Sequence, residues 1–237
     1  MTAAIVADGL GVRFLFDRRR RPVTPGLAAL LRRGEERWGL RDVTVRIDAG
    51  EGVALIGPSG AGKTSLLRTI AGVYPADAGQ VVVEGAVTTL LSTDAGLLSP
   101  LTGRENAELL GVLGGQRAGL ARASTDAVRE ASGLGEAFAR PVGSWSHGMR
   151  ARLGLALAER SGPGIMLLDE VHEALDHEYR DVLEERAHLL LAEGGIVVAA
   201  GHDHPMLERL CPRALLLRDG RIVADGDFAD VRRAYLG

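Results

Sequence analysis

The stretch GVALIGPSGAGKTSLLRTI, residues 52–70, restricts the fold more than any other part of the chain. Its first half is an unbroken apolar run, as in a strand buried on both faces. Its second half spaces apolar residues at helical intervals. A strand covered on both faces needs helices above and below it, so the stretch predicts an α/β fold built on a largely parallel sheet. The glycines between the halves fit the pattern G-x-x-x-x-G-K-[ST] from Gly57 to Thr64. Such a turn points successive backbone N–H groups inward as an anion nest, and the helix N-terminus adds its positive end. Gly57, Pro58, Ser59, Gly60, Ala61, Gly62, Lys63, Thr64 and Ser65 are therefore the expected phosphate-binding residues. The ammonium of Lys63 would reach the outer phosphates, and the Thr64 hydroxyl would bind Mg²⁺. The competing reading is a glycine-rich strand–helix turn with no ligand, and Lys-Thr in register weighs against it.

Arginine supplies nearly all the positive charge. Of 28 basic residues the sole lysine is Lys63. A position that keeps lysine in such a chain needs a compact ammonium rather than a flat guanidinium fork.

Further along, IMLLDE is a buried-strand pattern ending in Asp169, with Glu170 just beyond it. Asp169 would lie near the metal, and Glu170 would polarise an attacking water. Taken alone, the pair reads equally well as the acidic start of a helix; the upstream phosphate loop favours the chemical reading. GIVVAAGH is another buried strand, ending at His202, where ligands bind in open α/β sheets. His204 is the rival histidine, expected at the surface. The stretch SWSHGM, Ser144–Met149, reads on its own as ordinary helix-start chemistry.

Elsewhere AAIV, VRFLF and VTVRI read as short strands, with a basic insert at Asp17–Pro22 and a helix over LAALLRRGEERW, Leu27–Trp38. Short strands are expected near Val81 and Val87, and a helical subdomain over about 102–162 inserted into the α/β core. A helix over about 176–192 follows, then a hairpin across an Asp-Gly turn in ALLLRDGRIVADG and a last short helix.

With 237 residues, 46% of them apolar, the chain can bury a large core. A net charge of −3 gives no reason to expect nucleic acid. The single cysteine, Cys211, excludes an intrachain disulfide and fits a reducing compartment. No signal region or membrane-spanning run is legible, so a cytoplasmic chain, held at the membrane by a partner, is expected.

The order of these motifs resembles the nucleotide-binding subunit of an ABC transporter over nearly the whole chain. Gly57–Thr64 comes first, then WSHGM (Trp145–Met149), IMLLDE, EALD (Glu173–Asp176) and His202. The resemblance implies a single P-loop NTPase domain of ABC type spanning 1–237, an ATPase using ATP and Mg²⁺, with Thr64 and Asp169 on the metal. It also implies Glu170, His202 and Lys63 as catalytic residues. Ser146 and Gly148 of one copy would grip the γ-phosphate held by a second copy in an ATP-sandwich homodimer. Phe14 is the expected adenine-stacking residue, with Phe16 behind it; core packing is the equal alternative for both.

WGLRDV, LTGREN, a signature ending Gly-Met, and LCPRALLLRDGRIVADG resemble the subunits that export O-antigen or teichoic acid polysaccharides. That implies an integral-membrane permease partner, a lipid-linked glycan substrate and a peripheral position on the cytoplasmic face of the cell membrane. The carbohydrate-binding domain that some such exporters carry is not expected after the last helix. Departures from the family pattern are Ser92, Thr93 and Asp94 where a glutamine is usual, His147 for a small residue, and Glu173 for a serine. They leave open a weakly hydrolysing regulatory subunit, or a cassette for another substrate. An ABC protein acting on DNA or ribosomes would usually carry two nucleotide domains or a long coiled coil.

Overall fold

The computed structural model describes residues 4–16, 35–90, 96–158, 164–170 and 175–237. The basic insert Asp17–Pro22, the Ser92–Asp94 stretch and Glu173 lie outside the described residues.

Among the described residues, two sheets and three hydrophobic clusters organise the molecule. β3 (Gly52–Ile56) is buried along its whole length and sits inside a six-stranded sheet of order β5-β6-β7-β3-β8-β9. Its neighbours are β7 (Ile196–Ala200) and β8 (Arg213–Arg218), both parallel to it. β6 (Ile165–Asp169) and β5 (Val87–Leu90) extend the parallel part, and β9 (Arg221–Asp227) closes the other edge antiparallel to β8. The α/β class expected from the sequence is therefore observed. Alternate residues of β3 enter different clusters. Val53 and Leu55 face the first; Ala54 and Ile56 face the second. This is why the strand reads as a continuous apolar run.

The first cluster is roofed by α1 (Lys63–Ile70) and by an antiparallel sheet of order β2-β1-β4, formed by β2 (Glu35–Asp48), β1 (Ala4–Phe16) and β4 (Ala78–Glu84). On the opposite side, the second cluster is covered by α6 (His177–Ala192), α7 (His204–Leu210) and α8 (Phe228–Leu236). The third lies among α2 (Gly103–Leu113), α4 (Thr125–Ser132) and α5 (His147–Ala158) and includes Phe138, Trp145 and Leu153, while α3 (Ala118–Ala123) packs against α2. α2 opens with a reciprocal cap. The Thr102 hydroxyl accepts from the Glu105 N–H at 3.2 Å, and the Glu105 carboxylate accepts from the Thr102 N–H at 2.8 Å.

Two expectations need correction. Ala4–Val6 of AAIV and the segment VRFLF belong to one strand, β1, bent at bulges around Gly9 and Gly11 rather than broken. The helix expected to end at Trp38 does not extend over its last residues: Glu35–Trp38 already belong to β2 and pair with β1, Arg37 opposite Phe14 and Trp38 opposite Arg13. Cross-strand partners decide that conformation. The Trp38 ring lies under the Arg13 guanidinium at 5.3 Å, a contact that amphipathic spacing cannot disclose.

Candidate active site

The loop Gly57–Gly62 joins the buried end of β3 to α1 through backbone that only glycine adopts without strain. Gly57 has φ 143° and Gly62 φ 111°. A Cβ on Gly57 would stand 2.2 Å from the Leu217 carbonyl oxygen, and one on Gly62 would stand 2.7 Å from that of Gly39. Gly62 caps α1 without any side-chain hydrogen bond, and no acidic residue occupies the first turn. The positive end of the helix is thus left for an anion. The hairpin turn Asp219–Gly220 braces the loop, with the Gly220 N–H donating to the Ala61 carbonyl at 2.9 Å.

Lys63 is buried, and its ammonium donates to the Gly57 carbonyl at 2.7 Å and the Pro58 carbonyl at 3.2 Å. Burial lowers its pKa, while the nearby Glu170 and Asp169 carboxylates pull the other way. Asp169 ends β6 half-buried. Burial raises its pKa, opposed by the hydrogen bond from the Thr64 hydroxyl; Glu170 raises it, and Arg68 and Lys63 lower it. Glu170 follows in the left-handed region, φ 57°, with its N–H held by the Ala200 carbonyl at 2.9 Å. A non-glycine residue there costs on the order of 1–3 kcal/mol and is typical of functional sites. The bond to β7 turns its side chain towards His202, whose Nε2 lies 3.3 Å from Glu170 Oε1.

One cleft of about 880 Å³ collects these groups. Phe14, Ser59–Ser65, Glu170 and His202 line it, so residues from four separate regions of the sequence converge. Phe14 meets Tyr74 edge-on at 5.3 Å. Its ring also occupies the space where Gly39 lacks a side chain, since a Cβ there would fall 2.3 Å from Phe14 Cε2. Of Phe16 only the backbone is described, opposite Glu35. The sequence reading missed Arg37, Trp38, Arg41 and the Asp219–Gly220 turn, which complete the wall. The Asp-Gly dipeptide was legible as a turn, but nothing local showed that it folds onto the phosphate loop.

Ser146 and Gly148 do not line this cleft. Ser146 is exposed at the start of α5, where its hydroxyl accepts from the Met149 N–H at 3.2 Å, and the buried Trp145 beside it anchors the segment in the helical cluster. His204, expected at the surface, is instead partly buried against Phe228 and Tyr235, because α7 turns its first residue onto α8.

No cluster of three or more His, Cys, Asp or Glu side chains suited to a metal occurs among the described residues. Thr64 and Asp169 present two hard oxygen donors side by side, a set that suits Mg²⁺ completed by phosphate oxygens and water. Among the described residues no helix is long and apolar enough to cross a membrane.

Residues 40–173, which run from β2 past the Asp169–Glu170 pair, match the ABC transporter family. The chain belongs to that family. Relatives include the O-antigen export system ATP-binding protein RfbE of Yersinia enterocolitica, 36% identical over 183 residues that cover 77% of each chain. The teichoic acids export ATP-binding protein TagH of Listeria innocua is 31% identical over 198 residues, covering 84% of this chain and 59% of that protein. The chain thus spans little more than half the length of that second relative. Among solved structures, a dimeric ATP-binding cassette in a post-hydrolysis state with ADP and Pi superposes with a TM-score of 0.76 at 21% identity, covering 94% of this chain and 98% of that one. A second dimeric bacterial ABC transporter cassette gives the same TM-score of 0.76 at 22% identity. These structural likenesses establish that the fold is that of an ABC cassette.

Proposed function

We propose that this ABC family chain is the ATP-hydrolysing subunit of an exporter for a lipid-linked polysaccharide of O-antigen or teichoic acid type. It would work at the cytoplasmic face of the membrane with a separate permease subunit. The observation that carries the ATPase reading is the convergence of Lys63, Thr64, Glu170 and His202 on one cleft. The names of the relatives supply the substrate class.

In this reading the phosphates enter the nest at Ser59–Thr64. The Lys63 ammonium exchanges its two loop carbonyls for the β- and γ-phosphate oxygens, a charge-assisted pairing. Thr64 and Asp169 would hold Mg²⁺, which supplies charge neutralisation between the outer phosphates. Glu170 accepts a proton from the attacking water. The water oxygen bonds to the γ-phosphorus as the bond to the β–γ bridging oxygen breaks, and ADP and phosphate leave. His202 holds one oxygen of Glu170 and so fixes which oxygen takes the proton. Phe14 offers its ring to adenine. Ser146 and Gly148 serve the γ-phosphate bound by a second copy, which accounts for their lying outside the cleft of their own chain. Opening and closing of that homodimer would drive the permease.

The test is Mg²⁺-dependent ATP turnover by the purified chain, followed by turnover and glycan translocation in vesicles that contain the membrane subunit. Turnover that rises with the square of protein concentration at high dilution supports the dimeric ATPase. Turnover that the permease and glycan leave unchanged, with no glycan crossing the membrane, would overturn the export reading.

A further inference from the structure

The turn carrying His202 is anchored by a residue that does not line the cleft. Beyond β7, the His204 N–H donates to the His202 carbonyl at 3.0 Å. Asp203 between them has φ −80° and ψ 78°, the inverse γ-turn conformation. Asp203 also caps α7 by accepting from the Met206 N–H at 3.1 Å, and it lies 3.9 Å from Arg180 of α6. Asp203 thus ties the middle of the turn to α7 and α6, while the His202 side chain is 59% exposed. The His204 ring anchors the far end of the turn. It meets Phe228 and Tyr235 of α8 edge-on, at 6.3 Å and 5.9 Å between ring centres. Phe228 is itself almost fully buried, so α8 offers a fixed wall.

We propose that His204 is a positioning residue: by docking against the two rings of α8 it fixes the turn that holds His202 against Glu170, and thereby ties the last helix to the reacting end of the cleft. The proposal rests on the ATPase reading for its effect on turnover, but not for the geometry it predicts. Its charge environment adds a second consequence. Arg232 of α8, His202 and Asp203 of the turn, and Lys63 of α1 face the imidazole, while Glu208 of α7 pairs with Arg232 at 3.7 Å. Burial first, and the Arg232 charge second, lower the pKa of His204, so the neutral ring is the form that packs. Protonation in acid would set a second cation beside Arg232 in a half-buried slot and release the ring.

The experiment compares kcat, KM for ATP and pH profiles of the wild type, His204→Ala, His204→Phe, Tyr235→Ala and the His204→Ala/Tyr235→Ala double variant. His204→Ala should lower kcat by about tenfold with KM nearly unchanged, because α1 is undisturbed and only the His202 geometry is lost. His204→Phe, which fills the slot without a titrating group, should restore neutral-pH turnover and retain it further into acid than the wild type does. Tyr235→Ala should reproduce the loss, and the double variant should add nothing further. Wild-type kcat in His204→Ala, no rescue by Phe, or an unchanged acid limb in His204→Phe would overturn the proposal. Should the wild type itself show no turnover, the ATPase reading fails separately. The positioning role is then decided by the imidazole nitrogen resonances of His202, which should move in His204→Ala and return in His204→Phe; immobile resonances would overturn it.

Discussion

The Nε2 atom of His202 lies 3.3 Å from Oε1 of Glu170, although the two side chains leave the ends of different, neighbouring strands. The contact exists because Glu170 takes a left-handed backbone conformation, φ 57°, locked by its hydrogen bond to Ala200. Replacing Glu170 by Gln keeps the size of the side chain and removes its capacity to take a proton. Glu170→Gln should bind ATP as the wild type does while hydrolysing it at least ~10²-fold more slowly. Single-turnover assays with fluorescence-measured affinity check both halves. Unchanged turnover would exclude Glu170 as the base and leave His202 as the main candidate.

Lys63 is the only lysine in the chain, and its buried ammonium is held by two loop carbonyls. Lys63→Ala should weaken ATP binding by at least ~10²-fold, because a cationic partner of the outer phosphates is gone. Lys63→Arg should fail similarly, since the guanidinium fork is too broad for the space between the Gly57 and Pro58 carbonyls. Calorimetric titration with ATP distinguishes these outcomes from a tolerant site, which would accept arginine.

Asp169 is held partly buried, and burial raises its pKa above the ordinary carboxylate value. The sign follows: in the pH range between its unfolded and folded pKa values the folded chain binds more protons than the unfolded chain, so this group's contribution to stability falls as pH rises through that range. The ionised carboxylate is therefore a cost to the nucleotide-free fold at neutral pH. Asp169→Asn should raise the melting temperature at pH 7.5 by about 2 °C, with the gain vanishing in acid, while Mg²⁺-dependent hydrolysis is lost. Thermal melts across pH, with and without Mg²⁺ and ATP, check it; a lower melting temperature at pH 7.5 would contradict the assignment of burial as the dominant effect.

Ser146 caps α5 through its hydroxyl and is exposed outside the cleft of its own chain. Loss of the cap alone, in Ser146→Ala, should cost about 1 kcal/mol of stability. Ser146→Arg loses the same cap and also presents a bulky charge where a second copy would approach. In the Glu170→Gln background, ATP should give a stable dimer on size-exclusion chromatography with Ser146→Ala and a monomer with Ser146→Arg. Dimers in both would reduce SWSHGM to a helix start.

The sequence by itself determined the features that rest on local pattern. The strand–loop–helix of residues 52–70 reads off directly, because glycine tolerance, apolar run and helical spacing all act between near neighbours. The buried strands ending at Asp169 and before His202 were legible for the same reason. Only the tertiary structure decided what depends on distant partners. The segment Glu35–Trp38 is strand and not helix because β1 pairs with it and Arg13 covers its indole. Gly39 is needed because the Phe14 ring fills the space its side chain would take. The Asp219–Gly220 turn joins the cleft because Gly220 reaches the Ala61 carbonyl. His204 leaves the surface because α8 places Phe228 and Tyr235 against it. In each case the deciding contact joins residues far apart in the chain, and amino-acid spacing carries information only about neighbours on one strand or helix.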